Sequence, residues 1–169
     1  MALACLAMVS AQAVAARVAV VLSDDSAPYQ EVYQVIRAHL DDTPHEVGRV
    51  YAEDLTAASL NDMRLAIAVG VRAAESLAAL PDRPPVLAVL VPRSWYVKTG
   101  RARLGGGGRS VSAIYLDQPF ERQVRLIRQA FPEVRRVGVL SSAEQDAMLD
   151  ELGEILRAHR LSLVRQTVT

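Results

Sequence analysis

Two neighbouring aspartates follow the first predicted strand and occupy the most suggestive position of any titratable residues in the sequence. Asp24 and Asp25 come directly after the apolar run VAVVL and before a helical pattern. Paired carboxylates in that position hold magnesium in phosphorelay receiver domains, which also need an aspartate after the third strand. Here the third predicted strand, Leu65 to Gly70 (LAIAVG), ends without a carboxylate. The pair is therefore interpreted as an acidic helix cap or as a contact to a ligand.

A run of glycines, Gly105 to Gly108, is followed by Arg109 and Ser110 and superficially resembles a phosphate loop. A true phosphate loop ends in Gly-Lys-Ser/Thr between a strand and a helix, so that backbone N–H groups and the helix N-terminus face the phosphates. Arginine stands here in place of lysine, and the following residues (SVSAIYL) have the pattern of a strand. Arg101 and Arg103 could attract an anion, but the run predicts a flexible, solvated loop.

The sequence contains residue types that serve catalysis and metal binding, but not at the spacings that catalytic motifs and metal sites require. His39, His45 and His159 lie far apart, and none has a histidine, cysteine or carboxylate partner at a metal-ligand spacing. The sequence has neither a G-x-S-x-G nucleophile elbow nor a convincing acid/base pair, and its single cysteine is Cys5. We therefore predict a protein that is not an enzyme and that holds neither a metal ion nor a cofactor.

Strands and helices alternate from Arg17 onward, and these elements would position any site. The predicted strands are Val18 to Leu22, Glu46 to Tyr51, Leu65 to Val69, Val86 to Val91, Val111 to Tyr115, Val137 to Leu140 and Leu161 to Thr167. The clearest predicted helices are Pro28 to Leu40, Arg72 to Leu80, Phe120 to Phe131 and Ala143 to His159. Continuous apolar strands joined by helices predict an α/β fold, with a Rossmann-like parallel sheet and helices on both faces.

Ligands of such a sheet collect at the carboxyl ends of its strands. Trp95 and Tyr96, in the predicted loop after the fourth strand, could stack on a ligand or anchor the loop on the sheet. The helix that begins after Gly70 could receive a carboxylate on its first N–H groups. The predicted ligand-binding residues are Ser23, Asp24, Asp25, Ser26, Gly70, Val71, Pro92, Arg93, Ser141 and Ser142.

The organisation of the chain changes between residues 116 and 136. Five predicted strands precede this stretch, which is enough for a compact lobe, whereas the strand, helix and strand that follow cannot bury a core alone. The last elements either join the first sheet to make seven strands or open a second lobe. We predict an N-terminal lobe at residues 17–117, and a crossover helix with part of a second lobe at residues 118–169.

The first sixteen residues, MALACLAMVSAQAVAA, are uncharged and end in Ala-x-Ala arrangements, as secretory signal peptides do. Signal peptides normally open with a basic residue, and none precedes Arg17, so an ordinary buried helix is the alternative. We predict that residues 1–16 are a signal peptide and that the protein is periplasmic; lipoprotein processing at Cys5 is the less favoured route. The 19 basic and 19 acidic residues balance, so a nucleic-acid partner has no electrostatic support.

Three blocks of the sequence resemble the periplasmic substrate-binding proteins of ABC importers, in the branch related to tryptophan-binding proteins. They are Val18 to Leu40, residues 65–80 (LAIAVGVRAAESLAAL) and residues 112–142 (SAIYLDQPFERQVRLIRQAFPEVRRVGVLSS). The resemblance implies a type I periplasmic-binding fold, in which two Rossmann-like lobes close on a small ligand. A complete member is far longer, so this chain would supply one lobe and the first βαβ unit of a second.

The same resemblance implies a solute-binding component that delivers an amino acid or a small organic anion to a permease and an ATPase, and that meets the membrane only through them. Relatives carry Thr or Ser after the glycine of the third strand, where this chain has Val71, and a small polar residue with Asp-Pro after the fourth, where it has Val91, Pro92 and Arg93. Both differences remove polar contacts to an amino-acid head group. Two alternatives stay open: a cell-envelope interaction module that keeps the fold without closing on a ligand, and a cytoplasmic Rossmann-type enzyme or receiver.

Overall fold

The computed structural model describes residues 15–142 and 146–168 and has an α/β architecture. The chain divides into two compact units, one ending at Asp117 and the other beginning at Gln118. The first unit contains a parallel five-stranded sheet in the order β2-β1-β3-β4-β5. Its strands are β1 (Arg17–Leu22), β2 (Glu46–Tyr51), β3 (Leu65–Val69), β4 (Val86–Val91) and β5 (Val111–Tyr115). The predicted α/β class with a parallel sheet flanked by helices is confirmed.

One face of this sheet packs against α1 (Ala27–Leu40). The helix begins after Ser26 and has a proline in its first turn, where the missing N–H is not needed. Tyr33 of α1 is buried in one cluster with Val20, Leu22 and Val69 of the sheet. Successive strand residues point to opposite faces, so this helix covers only half of the apolar side chains of β1.

The other face packs against α2 (Val71–Ala79), which presents small side chains to the strands. Ala73, Ala74 and Leu77 are wholly buried in one cluster with Ala66 and Ala68 of β3. Methyl-sized side chains on both partners let the helix lie close to the sheet, and Leu77 supplies the larger apolar volume. The continuous apolar runs of β1 and β3 are thus explained by burial on both sides.

A helical segment, residues 93–104, follows β4. It consists of α3 (Arg93–Trp95), a π-helical turn (Tyr96–Gly100) and α4 (Arg101–Leu104). The predicted loop at Trp95 and Tyr96 was therefore wrong. Tyr96 is buried with its ring 5.7 Å from that of Tyr115, and a Cβ on Gly100 would lie 2.5 Å from the Trp95 ring. The Tyr96–Tyr115 contact joins this segment to β5, and the local sequence of the segment carries no information on it.

Arg83 connects the C-terminal ends of two helices. Its guanidinium donates to the carbonyl of Leu80 at 2.6 Å, just after α2, and to those of Arg103 and Leu104 at 2.8 and 2.9 Å, at the end of α4. Helix C-termini carry partial negative charge, so one cation complements two dipoles. Burial, and then the charge of Arg109, lower the pKa of Arg83 below its ordinary value, but an arginine remains protonated.

The second unit contains two helices and two parallel strands. They are α5 (Phe120–Ala130), β6 (Arg136–Ser141), α6 (Asp146–Ala158) and β7 (Ser162–Thr167). β6 and β7 pair with each other in a separate sheet and do not extend the first sheet to seven strands. The predicted start of the last helix, residues 143–145, lies outside the described residues.

Among the described residues, helices cover one face of the β6–β7 sheet. Val137, Val139 and Leu163 pack on that side against the buried leucines and valine of the unit. Alternate residues point the other way, and there Leu140 is 71 % and Val164 38 % exposed. A two-stranded sheet is marginal by itself, so the stability of this unit depends on its single layer of helices.

Candidate functional site

Ser23 joins the carboxyl end of β1 to β3 and α2. Its N–H and its hydroxyl donate to the carbonyl of Val69 at 3.1 and 2.8 Å, and its Oγ accepts from the N–H of Ala73 at 3.1 Å. The residue is only 4 % exposed. The hydroxyl therefore caps the first turn of α2, and its one donor is already engaged within the fold.

Gly70 lies at the N-cap of α2, where the chain leaves β3. Its φ of 88° falls in the left-handed region that favours glycine. A Cβ there would lie 2.5 Å from the Ser23 Oγ and 2.9 Å from the Tyr29 hydroxyl. Its N–H donates to the carbonyl of Val89 at 2.8 Å, which ties the glycine to β4. Only a glycine fits this junction.

Tyr29 is a residue of this edge that the sequence analysis missed. It lies in the first turn of α1, and its hydroxyl is beside Gly70. The available signal was an aromatic residue three positions after Ser26, at the start of the helix that follows β1. Its side chain is half-buried, so it can border a ligand without being withdrawn into the core.

The first N–H groups of α2 make this edge attractive to an anion. An α-helix leaves its first N–H groups without partners inside the helix, and they carry partial positive charge. Ser23 takes that of Ala73, and the half-buried Val71 and the exposed Arg72 contribute the others of this turn. The Arg72 guanidinium lies 3.5 Å from the Glu53 carboxylate in an exposed pair. Such a pair stabilises the fold by at most about 1 kcal/mol, so it can yield to a ligand carboxylate.

Asp24, Asp25 and Ser26 form the exposed turn between β1 and α1. The N–H of Ser26 donates to Asp24 Oδ1 at 2.9 Å. Hydrogen bonds from the side chain and then from the backbone of Ser26 hold the pKa of Asp24 below its ordinary value. Asp24 is therefore an ionised acceptor that shapes this turn, and Ser26 stands at the N-cap without a side-chain cap hydrogen bond.

Pro92 and Arg93 begin the helical segment that follows β4. The N–H of Arg93 donates to Asp117 Oδ2 at 2.6 Å, so a carboxylate just after β5 caps the start of this segment. Asp117 was not among the predicted residues. Its signal is positional: β4 and β5 are parallel neighbours, so residues that follow them lie side by side.

Ser141 is the last residue of β6, Ser142 follows it, and both belong to the second unit. Ser141 is 5 % exposed, and its carbonyl accepts from the N–H of Val168 at 3.0 Å. The structure thus gathers the eight predicted residues of the first unit at the carboxyl edge of one sheet, and these two serines at the carboxyl end of the other. The ligand-binding role of all ten stays a prediction.

The glycine run lies between α4 and β5, with Gly106–Gly108 in a 3-10 turn, and so lacks the strand-to-helix context of a phosphate loop. Gly107 and Gly108 have φ of 75°, which explains the need for glycine at these exposed positions. The Arg109 guanidinium turns to the carbonyls of Gly106 at 3.0 Å and Pro81 at 2.7 Å, and so serves the loop itself. Beside the loop is an open surface cavity of about 510 Å³ that none of the predicted site residues lines. Its lining residues are Val97, Arg101, Ala102, Gly105, Arg109 and Val111.

Within the described part of the chain, no group of three or more His, Cys, Asp or Glu side chains is placed to hold a metal ion. Within the same ranges, no helix has both the length and the apolar character of a membrane span. The predicted signal peptide falls on residues 1–16, of which 1–14 lie outside the described residues.

Comparison with known proteins shows the fold. No family model and no curated protein matches the chain. Similar solved structures include an ABC domain from Streptococcus pneumonia in complex with L-Trp, which is 17 % identical with a TM-score of 0.53; the match covers 92 % of this chain and 58 % of that one. A ligand-free, open substrate-binding protein with adhesive properties from Clostridium difficile is 14 % identical with a TM-score of 0.63, covering 91 % and 58 %.

A conserved domain protein from Vibrio cholerae is a further similar structure, 17 % identical with a TM-score of 0.51, covering 90 % of this chain and 57 % of that one. The chain therefore spans somewhat more than half the length of these structures. At such identities the likeness concerns the fold alone, and that fold is the one of substrate-binding-protein-like domains.

Proposed function

We propose that this chain is the solute-binding component of an ABC-type importer outside the cytoplasm, and that a small solute binds at the carboxyl edge of the five-stranded sheet. The observation that carries the proposal is the junction at Gly70, where the first turn of α2, Arg72 and Tyr29 meet. A fold shared with substrate-binding proteins, one of them in complex with L-Trp, supports a binding role. A permease and an ATPase would be its partners and its only link to the membrane.

The chemistry of this edge favours a solute that carries a carboxylate. The first turn of α2 offers partial positive charge, and Arg72 adds a full cation that is only weakly held by Glu53. Val71 supplies an aliphatic surface in place of a hydroxyl, so fewer polar contacts are available to an amino-acid head group. Small organic anions and amino acids are both within the proposal.

We assign residues 17–117 to an N-terminal lobe, and residues 118–169 to a crossover helix with part of a second lobe. The separate β6–β7 sheet and the match to about 58 % of the similar structures support this assignment.

A thermal-shift screen of the full chain against amino acids, nucleosides and small organic anions tests the proposal. A ligand present at a hundred times its Kd is expected to add about 2.7 kcal/mol of stability. Arg72→Ala should reduce that gain for a carboxylate ligand. Arg64→Ala is the matched control, because Arg64 is an exposed arginine at the opposite, amino end of β3 and should leave the gain unchanged.

Absence of any shift across the screen would count against the proposal, and an equal loss with both arginine variants would place the ligand elsewhere. A second candidate function, a cell-envelope interaction module, is favoured by the exposure of Ile114 and Leu116, 59 % and 58 %. A flat ligand screen together with a membrane partner that binds the purified chain directly would favour that candidate.

A further inference from the structure

The two outer strands of the five-stranded sheet differ in how they are protected. β2 carries Glu46 and Arg49, and the Arg49 guanidinium lies 5.0 Å from the ring of Tyr33 and 5.7 Å from that of Tyr51. Charged side chains on an outer strand discourage pairing with another chain. β5 has the sequence VSAIY and carries no charge. Its outer edge lacks the protection that β2 has.

The hydrogen-bonding groups on the outer side of β5 follow from its pairing with β4. The carbonyl of Ser110 accepts from Val86, and the N–H of Leu116 donates to Val91. In a parallel ladder alternate residues face the same neighbour, so even-numbered residues of β5 bond to β4. The N–H and C=O groups of Val111, Ala113 and Tyr115 therefore point outward, away from β4.

Apolar side chains flank this edge on both faces of the sheet. Ile114 and Leu116 are 59 % and 58 % exposed on one face. On the other, Tyr115 is 38 % exposed, and Val97 at 67 % exposure borders the cavity that Val111 also lines. Apolar groups of this size beside an unpaired edge are characteristic of a surface that pairs with another strand.

We propose that β5 is a self-association surface, on which a second copy of this chain adds its own β5 in antiparallel orientation with Ala113 opposite Ala113. In this register Val111 faces Tyr115 of the second copy, and the outward N–H and C=O groups of both strands bond to each other. Tyr115 of the second copy would then lie beside the cavity next to Val111, where Val97 is exposed.

Charge complementarity identifies the occupant as a second copy in this orientation. The stretch from Arg109 to Asp117 has a cation at one end, an anion at the other and no charge between them. Antiparallel pairing about Ala113 places Arg109 of each copy opposite Asp117 of the other, whereas parallel pairing would place like charges together. The arrangement has two-fold symmetry, so it closes as a dimer and leaves the charged β2 strands at the outside.

Sedimentation equilibrium of the full chain over a wide range of concentration tests the proposal. We expect a mass that rises with concentration toward that of two chains and no further. Ala113→Pro removes an outward N–H that β4 does not use, and should abolish the dimer while thermal unfolding still shows a folded monomer. Arg49→Pro on the outer strand β2 is the matched control and should leave dimerisation unchanged.

Charge reversals test the register. Arg109→Asp and Asp117→Arg each place like charges opposite one another twice in the dimer and should weaken association by about tenfold. The double variant restores opposite charges and should recover the wild-type dissociation constant, although it carries both local disturbances. A single-chain mass at millimolar concentration, growth beyond a dimer, dimerisation of Ala113→Pro, or failure of the double variant to recover would each overturn the proposal.

Discussion

The two units of the chain use the same parallel βαβ construction but surround their strands differently. Val20 and Val21, neighbours in β1 that point to opposite faces, are both wholly buried, because α1 lies on one side of the sheet and α2 on the other. In β6, Val139 packs into the core while its neighbour Leu140 is 71 % exposed. The strand sequences VAVVL and VGVL are almost equally apolar. An apolar strand sequence alone therefore does not show how many of its faces are buried. That depends on whether helices cover one face of the sheet or both.

The largest expected effect tests whether the two cores are energetically separate. Leu77→Ala in the first unit and Leu156→Ala in the second each remove a wholly buried leucine and should cost about 2–5 kcal/mol. The single tryptophan, Trp95, lies in the first unit, so its fluorescence during urea unfolding reports that unit alone. Leu77→Ala should lower the fluorescence midpoint. Leu156→Ala should lower a midpoint seen by far-UV circular dichroism and leave the fluorescence midpoint in place.

A shift of the fluorescence midpoint in Leu156→Ala together with the dichroism midpoint would contradict this separation, because it would show that the units unfold together. Leu126→Ala is a control of the same residue type, since Leu126 is 64 % exposed on α5 and its truncation should change stability by less than about 0.5 kcal/mol.

A smaller effect compares the stability cost of adding a Cβ at Gly70, at the carboxyl edge of the first sheet, with that at Gly138 in β6. Gly70→Ala puts a Cβ within 2.5 Å of the Ser23 Oγ at a φ of 88° and should cost about 1–3 kcal/mol. Gly138→Ala in β6 meets no heavy atom within 4 Å and should be neutral or slightly stabilising. Thermal unfolding of the two variants gives the comparison. Equal losses would show that the junction at Gly70 has room to relax.

The smallest effect concerns two serines that hydrogen-bond to backbone groups. Ser23→Ala leaves the N–H of Ala73 without its cap in a buried position and should cost about 1–2 kcal/mol. Ser162→Ala removes an exposed hydrogen bond of 3.2 Å to the carbonyl of Arg135, and water can replace it. Chemical denaturation should detect the first change and leave the second within about 0.5 kcal/mol of wild type. A silent Ser23→Ala would mean that water caps α2 equally well.

Much of the fold could be predicted because its signals are local. The runs that form β2, β3, β4 and β5 have the predicted bounds. β3 and β4 are continuous apolar stretches, and β2 and β5 are short runs rich in β-branched and aromatic residues. The helical segment at 93–104 was not predicted, because parts of its packing are with distant residues: the Tyr96 ring packs on that of Tyr115, and Trp95 Nε1 donates to Glu75. A turn signal in the sequence carries no information on such contacts.

The location of the candidate site at the carboxyl edge of the sheet was predictable, but the hydrogen bonds that its residues make were not. Parallel strands bring their carboxyl ends together, so Ser23 and Gly70 could be assigned to one edge from the sequence. That the Ser23 hydroxyl caps an N–H fifty positions away, at Ala73, depends on the crossover geometry. Tyr29 and Asp117 were missed for the same reason: each acts on a residue distant in sequence, Gly70 and Arg93.

The attachment of α2 has a mechanical consequence. Ser23 fixes the first turn of this helix to the ends of β1 and β3, and Arg83 fixes the carbonyl of Leu80, just beyond its last turn, to the end of α4. Hydrogen bonds therefore hold α2 at both ends, and a shift of the helix along its axis would break those at one end or the other. The first turn of α2 is therefore held in place, and a solute at the proposed site would meet a helix end that does not shift along its axis.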